Sequence, residues 1–237
     1  MPQKATLKEE IHRNEDGEII AKGFSLDGKP EGEYTSFFGN GQVMVKLFYR
    51  NGLKEGEAIS YYHDGNLREK GTFRNNKLVG DYECYYENGQ VREAEHYTDE
   101  GLLDGIYHLY YRNGQIKDEE NFKNGKFDGD YVSYYKDGSL KEKGSFRNDK
   151  REGEYVAYYK NGRIKERAQY KNGKLVGKFL AFDEKGNPVS LKDRYVTDGP
   201  GPDDEESIQD RERMVDDLLK GFGNFHTDDK KESEKQP

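Results

Sequence analysis

Tryptophan is absent from this chain of 237 residues, and cysteine occurs once, as Cys84. A single cysteine excludes an intramolecular disulfide and any multi-cysteine metal site. Leu, Ile, Val and Phe together make up only about 19% of the chain, a level more usual in chains that cannot bury enough apolar surface to fold. No apolar run approaches the roughly 20 residues that span a bilayer. The stretch MPQKATLKEEIHRNEDGE holds no apolar core of the signal-peptide kind, and the expected location is cytoplasmic.

Charge of one sign is also missing from most of the chain. The net charge is −8, but residues 196–237 hold 13 acids and 6 bases and so carry −7 of it. A near-neutral body lacks the excess of Lys and Arg that nucleic acid requires, and an acidic tail disfavours anionic membranes. His12, His63, His96, His108 and His226 show no metal-ligand spacing. No phosphate-cradling glycine loop and no nucleophile elbow is present. The expectation is a protein without catalytic residues, cofactor or metal.

Aromatics and glycine are plentiful: 19 Tyr, 12 Phe and 28 Gly. Disordered chains are poor in aromatics, so the segment from Phe24 to Phe182 is expected to fold around amphipathic tyrosines. The strings GEYTSFFGNG, GEAISYYHDG, GDYECYYENG, GIYHLYYRNG, GDYVSYYKDG, GEYVAYYKNG and GKFLAFDEKG align without gaps. Their first glycines, Gly32, Gly56, Gly80, Gly105, Gly129, Gly153 and Gly177, are spaced by 24, 24, 25, 24, 24 and 24 residues. A fixed short period of this kind marks a repeat architecture.

Each unit reads as a β-hairpin. Asn40-Gly41, Asp64-Gly65, Asn88-Gly89, Asn113-Gly114, Asp137-Gly138 and Asn161-Gly162 predict two-residue type I′ turns, since both central residues there need positive φ. That turn would set Tyr62, Tyr86, Tyr111, Tyr135 and Tyr159 opposite Leu67, Val91, Ile116, Leu140 and Ile164. Alternation places Tyr82, Tyr107, Tyr131 and Tyr155 on the same packed face, with Tyr97, Phe122, Phe146 and Tyr170. The opposite face receives Phe37, Tyr61, Tyr85, Tyr110, Tyr134, Tyr158 and Phe182, the candidate binding surface, edged by Arg68, Arg92, Lys117, Lys141 and Lys165. Cys84 takes a slot held by Ser36, Ser60, Ser133 and Ala157 in other units and is read as a small packing residue.

The expected fold is all-β: tandem antiparallel hairpins in an elongated, twisted single-layer meander, with a short C-terminal helix. Residues 1–31 read as a degenerate half-repeat and cap, in which Gly17, Phe24 and Gly28 keep part of the pattern. Residues 32–190 are the array and 191–206 an acidic Gly/Pro linker. Residues 207–222 are an amphipathic helix carrying Ile208, Val215, Leu218, Leu219 and Phe222 on one stripe, and 223–237 a disordered tail.

GDYVSYYKDGSLKEKGSFRNDK and GEYVAYYKNGRIKERAQYKNGK resemble the MORN repeat variant family over their whole length. Whole chains of such units are similar to YwqK-type proteins described as toxin–antitoxin antitoxins. The resemblance implies a binding scaffold that neutralises a partner protein, a toxin. Ala58 in place of the first tyrosine, and the final unit GKFLAFDEKGNP, depart from the pattern. Two other readings compete. A glycan-binding module expects tryptophan and a secretion signal, and a membrane-associated scaffold expects a basic patch.

Overall fold

A computed structural model describes residues 6–189. These residues form one open sheet of 19 strand segments, all paired antiparallel, with no helix among them. Neighbours in sequence are neighbours in the sheet, from Leu7–Arg13 with Ile19–Leu26 at one edge to Ile164–Lys171 with Leu180–Ala181 at the other. Residues Leu7–Leu26, read from sequence as part of a half-repeat, fold as a complete hairpin. The expected linker, helix and tail at 191–237 lie outside the described residues.

Two loop types alternate, and their assignment is the reverse of the sequence expectation. At the Asn-Gly and Asp-Gly pairs that close each string, only the glycine has positive φ. The loop is a three-residue one: Tyr62 N–H donates to the Asn66 carbonyl, and Gly65 N–H to the Tyr62 carbonyl. This is a type I turn followed by a left-handed glycine. The Asp64 carboxylate accepts from the Asn66 amide at 2.9 Å, which holds Asp64 on the right-handed side. The same loop recurs at Asn14, Phe38, Tyr86, Tyr111, Tyr135, Tyr159 and Asp183. The two-residue type I′ turns lie instead between hairpins, at Asp27-Gly28, Asn51-Gly52, Asn75-Asn76, Asn124-Gly125, Asn148-Asp149 and Asn172-Gly173, where both residues have positive φ.

The longer loop shifts the register by one. Tyr61, not Tyr62, stands opposite Leu67. The next pair is Ser60 with Glu69, so Arg68 is the extra residue of a β-bulge. Arg92, Lys117, Lys141 and Lys165 occupy the same bulge position in later units.

The core is one face of the sheet. Tyr82, Tyr107, Tyr131 and Tyr155 are buried there, with Phe73, Phe122, Leu109, Cys84 and Ala157. Phe73, Tyr97, Phe122, Phe146 and Tyr170 each lie opposite a first-type glycine: Gly56, Gly80, Gly105, Gly129 and Gly153. All five glycines have positive φ, a backbone conformation that glycine adopts without steric cost. Lys54 and Arg151 take slots that are Leu78 and Leu103 in other units. The Lys54 ammonium lies 5.2 Å from the Phe73 ring centre, and the Arg151 guanidinium 4.8 Å from that of Tyr155.

A row of acids crosses this core. Glu69, Glu93 and Glu166 are buried, and Asp118 and Glu142 half-buried, each following the bulge cation. Glu69 accepts hydrogen bonds from Ser60 at 2.7 Å and Tyr82 at 2.9 Å. Arg68 pairs with Glu69 at 2.8 Å and Arg92 with Glu93 at 2.9 Å. At these two bulges the cation therefore turns toward the buried acid that follows it. Burial of such carboxylates is sustained by these bonds.

Hairpins are joined at both ends of their strands. On one side the second tyrosine of each pair donates to a backbone carbonyl of the next unit: Tyr62 to Tyr85, Tyr86 to Tyr110, Tyr111 to Tyr134, Tyr135 to Tyr158 and Tyr159 to Phe182. On the other side, the acid preceding the first glycine accepts from the type I′ turn amide twenty residues on. These pairs are Glu31 with Asn51, Glu55 with Asn75, Asp104 with Asn124, Asp128 with Asn148 and Glu152 with Asn172. Val79 holds that acid's place in the third unit. Twenty residues beyond it, at Thr98–Gly101, the turn is of the three-residue kind, with Thr98 N–H donating to the Leu102 carbonyl. That loop is the extra residue in the single 25-residue step.

Candidate binding face

The face opposite the core carries the seven rings singled out in the sequence. Phe37, Tyr61, Tyr85, Tyr110, Tyr134, Tyr158 and Phe182 are all half-buried. Within their strands they alternate with the core residues Ser36, Ser60, Cys84, Leu109, Ser133 and Ala157. The corrected register gives six of them an aliphatic partner: Phe37 with Val43, Tyr61 with Leu67, Tyr85 with Val91, Tyr110 with Ile116, Tyr134 with Leu140 and Tyr158 with Ile164. The rings and aliphatics thus form one ribbon running across the strands.

Three of the cations expected beside this ribbon have other partners. Arg68 and Arg92 turn to the acids of the core, and Lys117 is buried with its ammonium 5.9 Å from the Tyr111 ring centre. Lys141 and Lys165 share their bulge position. A different polar row flanks the rings: Lys22, Lys46, Lys70, Glu83, His108, Glu119, Lys143 and Arg167, with Thr35, Ile59, Ala94, Val132 and Val156 between them. Lys70 pairs with Glu83 at 2.8 Å and Arg167 with Glu154 at 2.5 Å. The hydrogen bonds from Lys70 and Tyr85 hold the Glu83 carboxyl below the usual carboxylate range.

The two tyrosines of each pair differ in what their hydroxyls do. The second tyrosines are engaged in the inter-repeat bonds described above. Among the described residues, the hydroxyls of Tyr61, Tyr110, Tyr134 and Tyr158 donate to nothing, and that of Tyr85 bonds Glu83. The aligned Tyr-Tyr sequence is therefore split into a structural ring and an outward one, whose polar tip is unengaged in four of the five units.

Nothing on this face has the layout of a catalytic centre. No group of three or more His, Cys, Asp or Glu able to hold a metal occurs among the described residues. Cys84 lies wholly within the core, and burial pushes its thiol up, away from the reactive thiolate. No helix among the described residues is long and apolar enough to cross a membrane.

This architecture of in-phase hairpins defines a repeat-based binding scaffold. A family model described as MORN repeat variant matches residues 30–51, 54–75, 78–99, 103–124, 127–148 and 151–172, and the chain belongs to that family. Each matched block ends at or next to a turn between hairpins. No curated protein matches the chain. Among solved structures it is similar to the GtfA/B complex bound to UDP and GlcNAc, at 13% identity and a TM-score of 0.21. The match covers 63% of this chain and 25% of the other, so the chain spans about a quarter of that protein's length. The likeness is too distant to bear on function.

Proposed function

We propose that the chain is a non-enzymatic protein-binding scaffold whose aromatic ribbon receives a partner protein, and that this partner is a toxin it neutralises. The reading rests on one observation. Four tyrosine rings, Tyr61, Tyr110, Tyr134 and Tyr158, are half-exposed on one face with hydroxyls that bond nothing among the described residues. Such rings offer large contact area at low entropic cost, with a polar tip for a partner's donors and acceptors. The toxin part of the reading draws on the resemblance of whole chains of such units to antitoxin proteins.

The test is native affinity purification of the full chain beside a Tyr110→Ala/Tyr134→Ala/Tyr158→Ala variant. The expected result is a stoichiometric partner with the natural chain and its loss with the variant, while the circular dichroism spectrum is unchanged. Equal recovery with both chains would falsify the ribbon as the docking face. Co-expression then addresses the toxin: the recovered partner should arrest growth alone and cease to do so beside this chain.

A further inference from the structure

The aromatic face is not uniform along the array. At one repeat position the seven units carry Phe24, Phe48, Thr72, His96, Asn121, Ser145 and Gln169. The last five are polar, as befits a solvated face. The first two are phenylalanine, and Phe24 is 37% exposed with Ile11 nearby at 45%. Around Phe48 the sheet surface holds a depression of about 740 Å³ lined also by Lys22, Phe37, Lys46 and Ile59. Glu33 and Glu57 line it too, and Glu33 stands directly opposite Phe48 in the strand pairing.

Among the described residues, the lysines there share the unpaired state of Lys143 and differ from two ion-paired cations of their row. In the same transverse row Lys70 and Arg167 are ion-paired. Lys22 and Lys46 bond no carboxylate among the described residues; Lys22 lies 5.8 Å from the centre of the Phe37 ring. The two strands bearing them are separated by a single strand, Gly32–Phe37, so their backbones lie about 10 Å apart. Half-buried rings beside unpaired cations suit a partner that covers both.

We propose that this N-terminal end of the aromatic face is a docking site for an extended acidic–apolar peptide segment of a partner protein. Carboxylates of the segment sit on Lys22 and Lys46. An apolar side chain between them fills the space bounded by Phe37, Phe48 and Ile59, and the segment's N–H donors face Glu33 and Glu57. The proposal rests on the scaffold reading above and assigns the partner's anchor to one end of the ribbon.

The probe is a fluorescein-labelled eight-residue peptide alternating glutamate with leucine, and its counterpart with lysine for glutamate, titrated with the full chain by fluorescence anisotropy. The glutamate peptide should bind and the lysine peptide should not. Lys22→Glu/Lys46→Glu, and separately Phe48→Thr, should each weaken binding about tenfold or more, the loss expected of a central anchor. Lys143→Glu, in the same row but far along the array, should leave it unchanged. Phe48→Thr installs the residue found at Thr72, and an unchanged unfolding midpoint confirms its fold. Binding of both peptides alike, of neither, or insensitivity to Lys22 and Lys46 overturns the proposal. The scaffold reading survives that outcome if a purified protein partner is still lost with the Tyr110/Tyr134/Tyr158 alanine variant.

Discussion

The Tyr86 hydroxyl donates to the backbone carbonyl of Tyr110 at 2.7 Å, from one repeat to the next. The same bond recurs four more times, so the second tyrosine of each pair acts as a staple between hairpins. A single bond of this type contributes about 1 kcal/mol net. Tyr86→Phe and Tyr111→Phe should each lower stability by about that amount in urea unfolding, and the double variant by about their sum or more. Tyr110→Phe, which removes an unengaged hydroxyl, should cost nothing measurable. A loss from Tyr110→Phe equal to that from Tyr86→Phe would mean the staples contribute nothing specific.

The two loop types respond differently to alanine. Asn124 sits in the left-handed region at φ 49° within a type I′ turn, where an alanine costs about 1 kcal/mol or more. Asn124→Ala should therefore destabilise, and Asn124→Gly should not. Asn113 is right-handed, and Asn113→Ala loses only side-chain bonds. Thermal unfolding of the three variants distinguishes the loop assignment described here from its reverse.

Gly144 lies under the Tyr131 ring, and a Cβ there would come within 2.7 Å of a ring carbon. Its φ is ordinary, so any cost is steric. Gly144→Ala should destabilise by about 1–3 kcal/mol, the usual penalty of overpacking. Adding Tyr131→Leu should recover part of the loss, because the smaller side chain vacates the space. Chemical denaturation of the single and double variants measures this coupling.

Alkaline pH should act on stability in two opposing ways. Burial pushes the Lys54 ammonium down to about 8. Between pH 8 and its usual value of 10.5 the unfolded chain binds more protons there than the folded one, so Lys54 makes stability rise with pH across that window. Burial raises the phenols of Tyr49, to about 12, and of Tyr34, Tyr82, Tyr131 and Tyr155. Their stabilisation is full below pH 10 and is lost as pH climbs through the folded values. Unfolding midpoints should peak near pH 9–10 and then fall. Lys54→Leu, the residue type of Leu78 and Leu103, should raise stability at neutral pH and flatten the rise.

Cys84 should be silent toward a thiol reagent such as dithionitrobenzoate in the folded chain and react fully in denaturant. It is fully buried, and its thiol is pushed up by burial. Rapid labelling of the native chain would contradict its placement in the core.

The period and the two faces were legible in the sequence, because glycines nine residues apart and alternating aromatics fix strand polarity. The turn types were not. Asn-Gly occurs in both loops, as Asn40-Gly41 and Asn51-Gly52, and the dipeptide alone does not say which asparagine is left-handed. What decides it is whether the asparagine side chain accepts from the amide two residues on, as Gln42 N–H donates to Asn40 Oδ1 at 3.0 Å, or the asparagine's own N–H donates to an acid of the preceding unit, as Asn51 does to Glu31. That error of one residue misplaced the bulge cations and hid the acid row, although Leu67-Arg68-Glu69 and Val91-Arg92-Glu93 repeat it in plain view. The difference of Phe24 and Phe48 from Thr72 was also present in the alignment. Its meaning appears only when Phe48 proves to line one depression with two lysines, Lys22 and Lys46, that are unpaired among the described residues.

The Thr98–Gly101 loop shows how this scaffold absorbs a change in chain length. One residue was accommodated by exchanging a two-residue turn for a three-residue one, and the strands on either side kept their pairing. The acid that would have capped the shorter turn is a buried valine, Val79, 5% exposed. An inserted or deleted residue at any other inter-hairpin turn should need the same two linked changes, a new loop class and the release of one carboxylate twenty residues upstream. Whole units, by contrast, can be added or removed without either, which makes the array editable in steps of one hairpin.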